Sequence, residues 1–177
     1  YTRSSGAGGR DFFLVRTDES GNEIWSRAYG GMADEWATSM KPTRDGGFIL
    51  AGWTYSFGAG GRDAWLVKTD NTGAPVWSRA FGGARDEWFS SVEQTGDGGY
   101  VLTGSTESFG TEGFDLWLLR TDSQGRVYEM GGRIVIDVSP DSGSWTLEGP
   151  GAFGTVNGTG DRKGARSFLE APAGEYR

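Results

Sequence analysis

The chain has no cysteine and no histidine. The first absence removes disulfides, thiolate nucleophiles and Cys-based zinc sites together, and the second removes His-centred catalytic triads and His-ligated metals. Neither assigns a compartment. Proline is scarce, five in 177 residues, so the 32 glycines point to many tight turns rather than to a low-complexity Pro/Gly chain. Basic residues number 17 against 24 acidic ones, for a net charge of −7, and nowhere do they cluster. A nucleic-acid binder needs a basic stripe to meet phosphates, so that class is excluded. An acidic surface favours solubility and cationic partners. No apolar run approaches the about 20 residues of a membrane span. The opening YTRSSGAGG has no apolar signal core, so if the full protein is secreted, its signal is expected upstream of Tyr1. Apolar residues make up only 36%, but 8 Trp, 10 Phe and 6 Tyr supply much of the buriable surface, since each aromatic buries about 150–250 Å². A core forms only if the aromatics are inside it.

What is present is a repeat. Sliding the chain by 52 positions lays Asp63 on Asp11, Trp77 on Trp25, Trp88 on Trp36 and Asp97 on Asp45, with 27 identities in 52 positions. A period of that size points to solenoids, propellers or arrays. A third copy begins at Asp115 and keeps register through Trp117, Thr121, Asp122 and Gly125, then loses it at Glu129, where Trp is expected. A partial copy opens the chain, with Thr2, Ser4 and Gly6–Arg10 matching Thr54, Ser56 and Gly58–Arg62. The expected division is residues 1–127 for the repeats (1–10 partial, 11–62 and 63–114 full, 115–127 partial) and 128–177 for a second module.

Inside each repeat, turn residues separate short aromatic and β-branched runs, which predicts strands and no helix. They fall at Phe12–Thr17, Ile24–Tyr29, Glu35–Thr43 and Phe48–Thr54, and again at Ala64–Thr69, Val76–Phe81, Glu87–Thr95 and Tyr100–Thr106. Four antiparallel strands are the size of one propeller blade. The continuous apolar runs Phe48–Ala51 and Trp65–Val67 predict sheets covered on both faces. The fourth strand, with Ala51-Gly52 or Thr103-Gly104, is expected innermost, where blades converge and small residues fit.

The run Thr69-Asp70-Asn71-Thr72-Gly73-Ala74-Pro75-Val76-Trp77 resembles the tryptophan-docking motif of quinoprotein-type propellers, in which the Trp wedges against the neighbouring blade. Thr43-x-Asp45-x-Gly47 and Thr95-x-Asp97-x-Gly99 resemble the start of the Asp-box hairpin of sialidase-type propellers, with Leu50 and Leu102 in place of its closing aromatic. As a whole the repeat is similar to propeller-like repeats of large secreted or surface proteins of archaea and bacteria, over Tyr1 to about Val127. That resemblance implies an all-β chain with four-stranded antiparallel β-propeller-type blades in an incomplete ring, and an extracellular or cell-surface location.

Beyond Val127, Arg133–Val138 and Trp145–Leu147 alternate as strands, and Val156-Asn157-Gly158-Thr159 carries the Asn-Gly hairpin signal. Ala171-Pro172-Ala173-Gly174-Glu175-Tyr176 is similar to the P-x-G-x-Y segment of PEGA-like β-sandwich modules, which implies a small, C-terminally truncated sandwich.

Candidate chemistry is weighed against structural roles. Asp18–Glu23 offers oxygens to a calcium ion, but the second copy puts Asn71 and Pro75 at two of its acidic positions, so a turn is expected. Asp34-Glu35 and Asp86-Glu87 are carboxylate pairs of the kind used in acid–base work. They recur at one position in every copy, whereas a catalytic site is singular, so they are expected to build the blade. Gly6–Gly9 and Gly58–Gly61 lack a following helix and a G-K-[ST], and are expected to link blades. Asn157-Gly158-Thr159 also fits a glycosylation sequon, though a hairpin turn accounts for it. Trp25, Trp36, Trp77 and Trp88 suit sugar stacking, but their recurrence assigns them to the interblade core.

Residues shared by the copies make the scaffold, so recognition is expected where copies differ: Trp53 against Ser105, Tyr55 against Glu107, Arg62 against Phe114, Arg44 against Gly96. These are the candidate ligand-binding positions. The expected function is a non-catalytic scaffold for adhesion or ligand display, without cofactor or metal, meeting a glycan or protein ligand. Exposed terminal blade faces are expected to drive self-association. The alternatives are part of a propeller enzyme, either quinoprotein dehydrogenase or sialidase-like hydrolase, or a purely structural spacer.

Overall fold

The computed structural model describes Gly6, residues 8–110 and 112–127, and three strands beyond them, 135–138, 144–148 and 155–159. The chain divides into two compact units, Tyr1–Tyr128 and Glu129–Arg177. Every element described is a β-strand, and every pairing is antiparallel.

The first unit holds nine strands: β1 Phe12–Thr17, β2 Glu23–Tyr29, β3 Glu35–Pro42, β4 Phe48–Thr54, β5 Asp63–Thr69, β6 Pro75–Phe81, β7 Glu87–Gln94, β8 Tyr100–Thr106 and β9 Asp115–Thr121. They form three sheets in the orders β1-β2, β3-β4-β5-β6 and β7-β8-β9. The four-stranded sheet therefore straddles two sequence repeats. It takes the last two strands of one copy and the first two of the next. Gly30-Gly31 and Gly82-Gly83 break the chain between sheets, while the Ser56–Arg62 loop returns β4 onto β5 as a pairing neighbour.

The sheets stack face to face, and the same two faces mate twice. Phe12 and Leu14 of the first sheet, with Tyr29 and Trp25, pack on Leu50, Trp65, Val67 and Phe48 of the second. On its other side the second sheet presents Ile49, Ala51, Ala64 and Leu66, with Trp77 and Phe81, to Phe89, Val92, Tyr100 and Leu102 of the third. Moving by 52 residues turns Leu14 into Leu66, Trp25 into Trp77, Phe48 into Tyr100 and Leu50 into Leu102, so one packing rule is used twice. Strand β5 is buried at all seven positions, as its unbroken apolar run predicts. Each fully buried apolar side chain contributes about 1.5–3 kcal/mol, against about 0.5–1.5 for a neutral hydrogen bond. Packing therefore holds the seam and hydrogen bonds set its register. Those bonds run from Thr38 Oγ1 to the Phe89 carbonyl, 2.6 Å, and from Tyr29 Oη to the Gly73 carbonyl, 2.7 Å.

Strand β4 lies inside its sheet, between β3 and β5, and the sheet edges are β3 and β6. The expectation that it is innermost is thus corrected, and Gly52 has another reason. The β3–β4 ladder slips between Ala37 and Ser39, and this bulge drives the Trp36 carbonyl to 1.9 Å from where a Cβ of residue 52 would stand. Gly104 meets the Trp88 carbonyl in the same way at the matching bulge.

The turns follow their local chemistry. Thr43 Oγ1 and the Gly47 amide donate to Asp45 Oδ1, and the buried Lys68 ammonium lies 2.8 Å from Asp45 Oδ2. Asp70 Oδ1 accepts the Thr72 and Ala74 amides, and Gly73 closes the turn at φ +76°. Trp25 of the preceding sheet lies directly on that glycine, and Trp77 lies likewise on Gly125. Trp25 also meets Phe48 edge-on at 5.9 Å, as Trp77 meets Tyr100.

In the second unit, β10 (Val135–Val138), β11 (Ser144–Glu148) and β12 (Thr155–Thr159) form one antiparallel sheet in that order. Asn157 pairs with Thr146 and Gly158 with Trp145, so Asn157-Gly158 lies within a strand and not at a hairpin turn. The 171–176 segment and Glu129 lie outside the described residues.

Gly21 and Gly73 hold the same place in successive turns, at φ +84° and +76°. A Cβ on Gly21 meets nothing within 4 Å, but one on Gly73 comes within 2.7 Å of the Trp25 ring. Gly21→Ala is expected to cost about 1–2 kcal/mol for its left-handed backbone. Gly73→Ala adds roughly 1–3 kcal/mol of overpacking. Urea unfolding of the two variants checks this, and equal losses would mean that Trp25 does not seat on the Gly73 turn.

Candidate functional site

One open cleft of about 390 Å³ is lined by Arg10, Trp36, Thr38, Trp53, Arg62 and Trp88. These residues come from the ends of all three sheets of the first unit, and the strand period explains how they meet. Trp36 and Trp53 are direct cross-strand partners on β3 and β4, one residue from Glu35 and Thr54, which are fully buried. Alternation therefore puts both indoles on the opposite face of the sheet from Glu35 and Thr54, at the end of the face that carries Ile49 and Ala51. Thr38 is the residue extruded by the β3 bulge.

The side chains form a chain of rings and guanidinium planes. Arg10 lies 5.6 Å over Trp36, and Trp36 is parallel to Trp53 within 8° at 6.4 Å. Arg62 lies 5.6 Å over Trp53 and 5.0 Å over Trp88, and Trp88 meets Phe114 edge-on at 5.1 Å. Each arginine is fixed by the acid of the next copy. Arg62 Nε and Nη2 both reach Asp86 Oδ2, at 2.9 and 2.8 Å, and its amide donates to Asp86 Oδ1 at 2.9 Å. The Arg10 amide donates to Asp34 Oδ1 at 2.8 Å, with a guanidinium contact to Oδ2 at 3.8 Å. The Arg62 amide first, and then its guanidinium, hold the Asp86 carboxyl below the ordinary carboxylate value.

Of the four positions expected to bind ligand, three gather here. Trp53 and Arg62 line the cleft, and Tyr55, half exposed, stands edge-on to Trp53 at 5.3 Å. Arg44 does not join them. It sits in the turn at the opposite end of β4, where its amide donates to Gln94 Oε1 at 3.0 Å and its guanidinium to the Gly96 carbonyl at 2.7 Å. It differs between copies because it clasps the next sheet's turn. Trp36 and Trp88, assigned to the interblade core by recurrence, are only half-buried and line the cleft. Trp25 and Trp77 pack against the buried clusters. Recurrence thus marks both core-packing and cleft-lining positions. The signal that separates them is the parity of Trp36 and Trp88 against the buried Glu35 and Glu87.

The recurring carboxylates serve the scaffold. Glu87 is fully buried and accepts from the Gly83 amide (2.8 Å), the Ser108 amide (2.9 Å) and Thr106 Oγ1 (3.0 Å). Burial alone pushes its pKa up, but the donors outweigh it and the value falls below normal. Asp63, 2% exposed, takes weak amide bonds on Oδ2 from Ala59 and Gly60, while Oδ1 has no hydrogen-bond partner. Desolvation first, with Glu87 and Asp86 adding repulsion, pushes Asp63 up. The two carboxylates close on Gly82, whose Cβ position is 2.3 Å from Asp63 Oδ1 and 2.4 Å from Glu87 Oε2. Asp11 and Glu35 converge on Gly30 in the same way. The Gly58–Gly61 loop, expected to link blades, instead joins β4 to β5 within one sheet, and it supplies amides to Asp63. Asp18 Oδ1 accepts the Ser20 and Asn22 amides, each at 2.9 Å, as a turn requires. Among the described residues no three or more acidic side chains converge as a metal site.

The opposed shifts give a signed pH dependence. A carboxyl raised on folding contributes fully below its unfolded pKa and loses that contribution as pH rises through its folded value. Asp63 is such a group, whereas Asp45 and Asp97, held down to about 2, lose theirs only as pH falls toward that value. Asp63→Asn keeps an acceptor for the loop amides and offers Glu87 a donor. Its urea midpoint is expected to exceed the wild type's at pH 8 and to converge with it near pH 4. A constant difference across that window would show that Asp63 does not titrate against Glu87. No family model matches the chain, and no curated protein matches it.

Proposed function

We propose that the chain is a non-catalytic repeat scaffold of β-propeller-type blades, extracellular or at the cell surface, that displays a ligand at the Trp–Arg cleft. The observation that carries this reading is that Trp53 and Arg62, two positions where the full copies differ, line one cleft, with a third, Tyr55, edge-on to Trp53 beside it. Recurring Trp36 and Trp88 frame the cleft, and Trp53 and Tyr55 add to it what the next copy lacks. The head-to-tail mating of sheet faces supports the blade reading. The carboxylate pairs Asp34-Glu35 and Asp86-Glu87 do not favour an acid–base enzyme, because both glutamates are fully buried and both aspartates are held by Arg10 and Arg62.

Trp53→Ser is the natural test, because Ser105 holds the equivalent place in the next sheet, opposite Trp88. Glycan and peptide arrays probed with both proteins are expected to show at least one ligand class held by the wild type and lost by the variant, with unchanged thermal unfolding. Identical array profiles would overturn the cleft as the display surface.

Apolar side chains also face outward at both ends of the stack, Val15 at 42% and Leu116 at 52% exposure, and such faces associate. Light scattering after size exclusion is expected to report more than one chain per particle at micromolar concentration. A monodisperse monomer would overturn self-association.

A further inference from the structure

We infer that the ligand of the cleft is an uncharged carbohydrate, a pyranose ring laid against the indoles with its hydroxyls on the Arg–Asp pairs. The inference rests on the reading of the cleft as the display surface and adds the chemical class. Three observations lead to it. The cleft wall is largely aromatic, with Trp36, Trp53 and Trp88 all half-buried around one opening. Such a wall accepts a flat, partly apolar face.

Its charges are already compensated in place. Arg62 is tied to Asp86 by Nε, Nη2 and the backbone amide, and is clamped between Trp53 and Trp88. A phosphate, sulfate or carboxylate would meet a guanidinium whose charge Asp86 already offsets, with the Asp86 carboxylate beside it. A basic ligand would meet the reverse at Asp86, with the Arg62 guanidinium beside it. With a chain charge of −7 the long-range field does not recruit anions either.

The pair still offers polar edges. A guanidinium carries five N–H donors, and the Asp86 contacts use Nε and Nη2. Donors beside carboxylate acceptors suit neighbouring hydroxyls, which donate and accept at once. A purely aliphatic ligand would leave these groups covered and unmatched, at about 1–3 kcal/mol for each. A sugar alone among these candidates combines an apolar C–H face, a hydroxyl rim and no net charge. Trp53 is present in one copy only, so the stoichiometry expected is one site per chain.

The test is a titration of intrinsic tryptophan fluorescence, with calorimetry, on the whole chain. The probes are cellohexaose, mannohexaose, maltohexaose and chitohexaose, a heparin hexasaccharide, and an uncharged Phe/Trp-containing peptide. Wild type, Trp53→Ser and Tyr55→Glu, the second again a swap to the next copy's residue, are compared at low and high salt. Expected is saturable binding of at least one neutral oligosaccharide at one per chain. Its affinity should not depend on salt, because no ion pair forms, and Trp53→Ser should weaken it by about tenfold or more, as losing a central aromatic anchor does. Tyr55→Glu, at the rim, should weaken it less. Trp53-dependent binding of heparin or of the peptide, without a neutral sugar, would overturn the carbohydrate assignment and leave the display surface standing. Binding of no probe, or binding indifferent to both substitutions, would overturn the carbohydrate assignment as well. Unchanged array profiles for Trp53→Ser would then remove the display surface separately.

Discussion

Strand β5 has no solvent-facing side: from Asp63 to Thr69 every residue is buried. An antiparallel strand reaches that state only when both faces of its sheet are covered, and here the first sheet covers one face and the third covers the other. The two faces are not alike. Phe48, Leu50, Trp65 and Val67 form one, and Ile49, Ala51, Ala64 and Leu66 form the other. Each front therefore meets a back, and the contact is heterologous. A contact of that kind can be applied repeatedly along a stack. The 52-residue repeat is the sequence form of that rule, since every copy must supply one front and one back.

Stacking also dictates where glycine and tryptophan must stand. The docking of Trp25 on Gly73 and of Trp77 on Gly125 needs a turn that is left-handed and lacks a side chain, and only glycine meets both conditions. The β3 and β7 bulges impose a second demand, because each pushes a carbonyl into the space of the adjacent strand's Cβ. Gly52 and Gly104 are the consequence. At the same strand ends the pleat separates two environments within one residue. Glu35 and Glu87 go inward to amide donors, while Trp36 and Trp88 go outward to the cleft. The buried carboxylates and the aromatic platform are two sides of one structural device.

The cleft follows from this arrangement. Arg10 and Arg62 are held by Asp34 and Asp86, and the same contacts bring the start of one sheet's strand against the next sheet's edge. A residue that changes between copies at that junction alters the surface without disturbing the stack. Trp53 in place of Ser105 is such a change. The aromatic chain from Trp36 to Phe114 is continuous because Trp53 bridges Trp36 to Arg62.

Strand positions, turn positions and the two-sided burial of the second sheet were legible in the sequence, because each depends on chemistry within a few residues. Asp45 and Asp70 accept amides two residues away, glycine supplies positive φ, and apolar runs of period one ask for two covers. Comparing the copies also singled out Trp53, Tyr55 and Arg62, and the fold brings these three side by side. The sheet boundaries were not legible, because pairing β4 with β5 across the Ser56–Arg62 loop, and not β2 with β3 across Gly30-Gly31, is decided by long-range packing. Arg44 and Trp36 show the same limit. Variation at Arg44 serves a contact with Gly96, and recurrence at Trp36 places a half-buried ring at the cleft. Residue type and spacing determine which strands can form and which way each side chain points; only the stacked sheets decide which of those side chains meet.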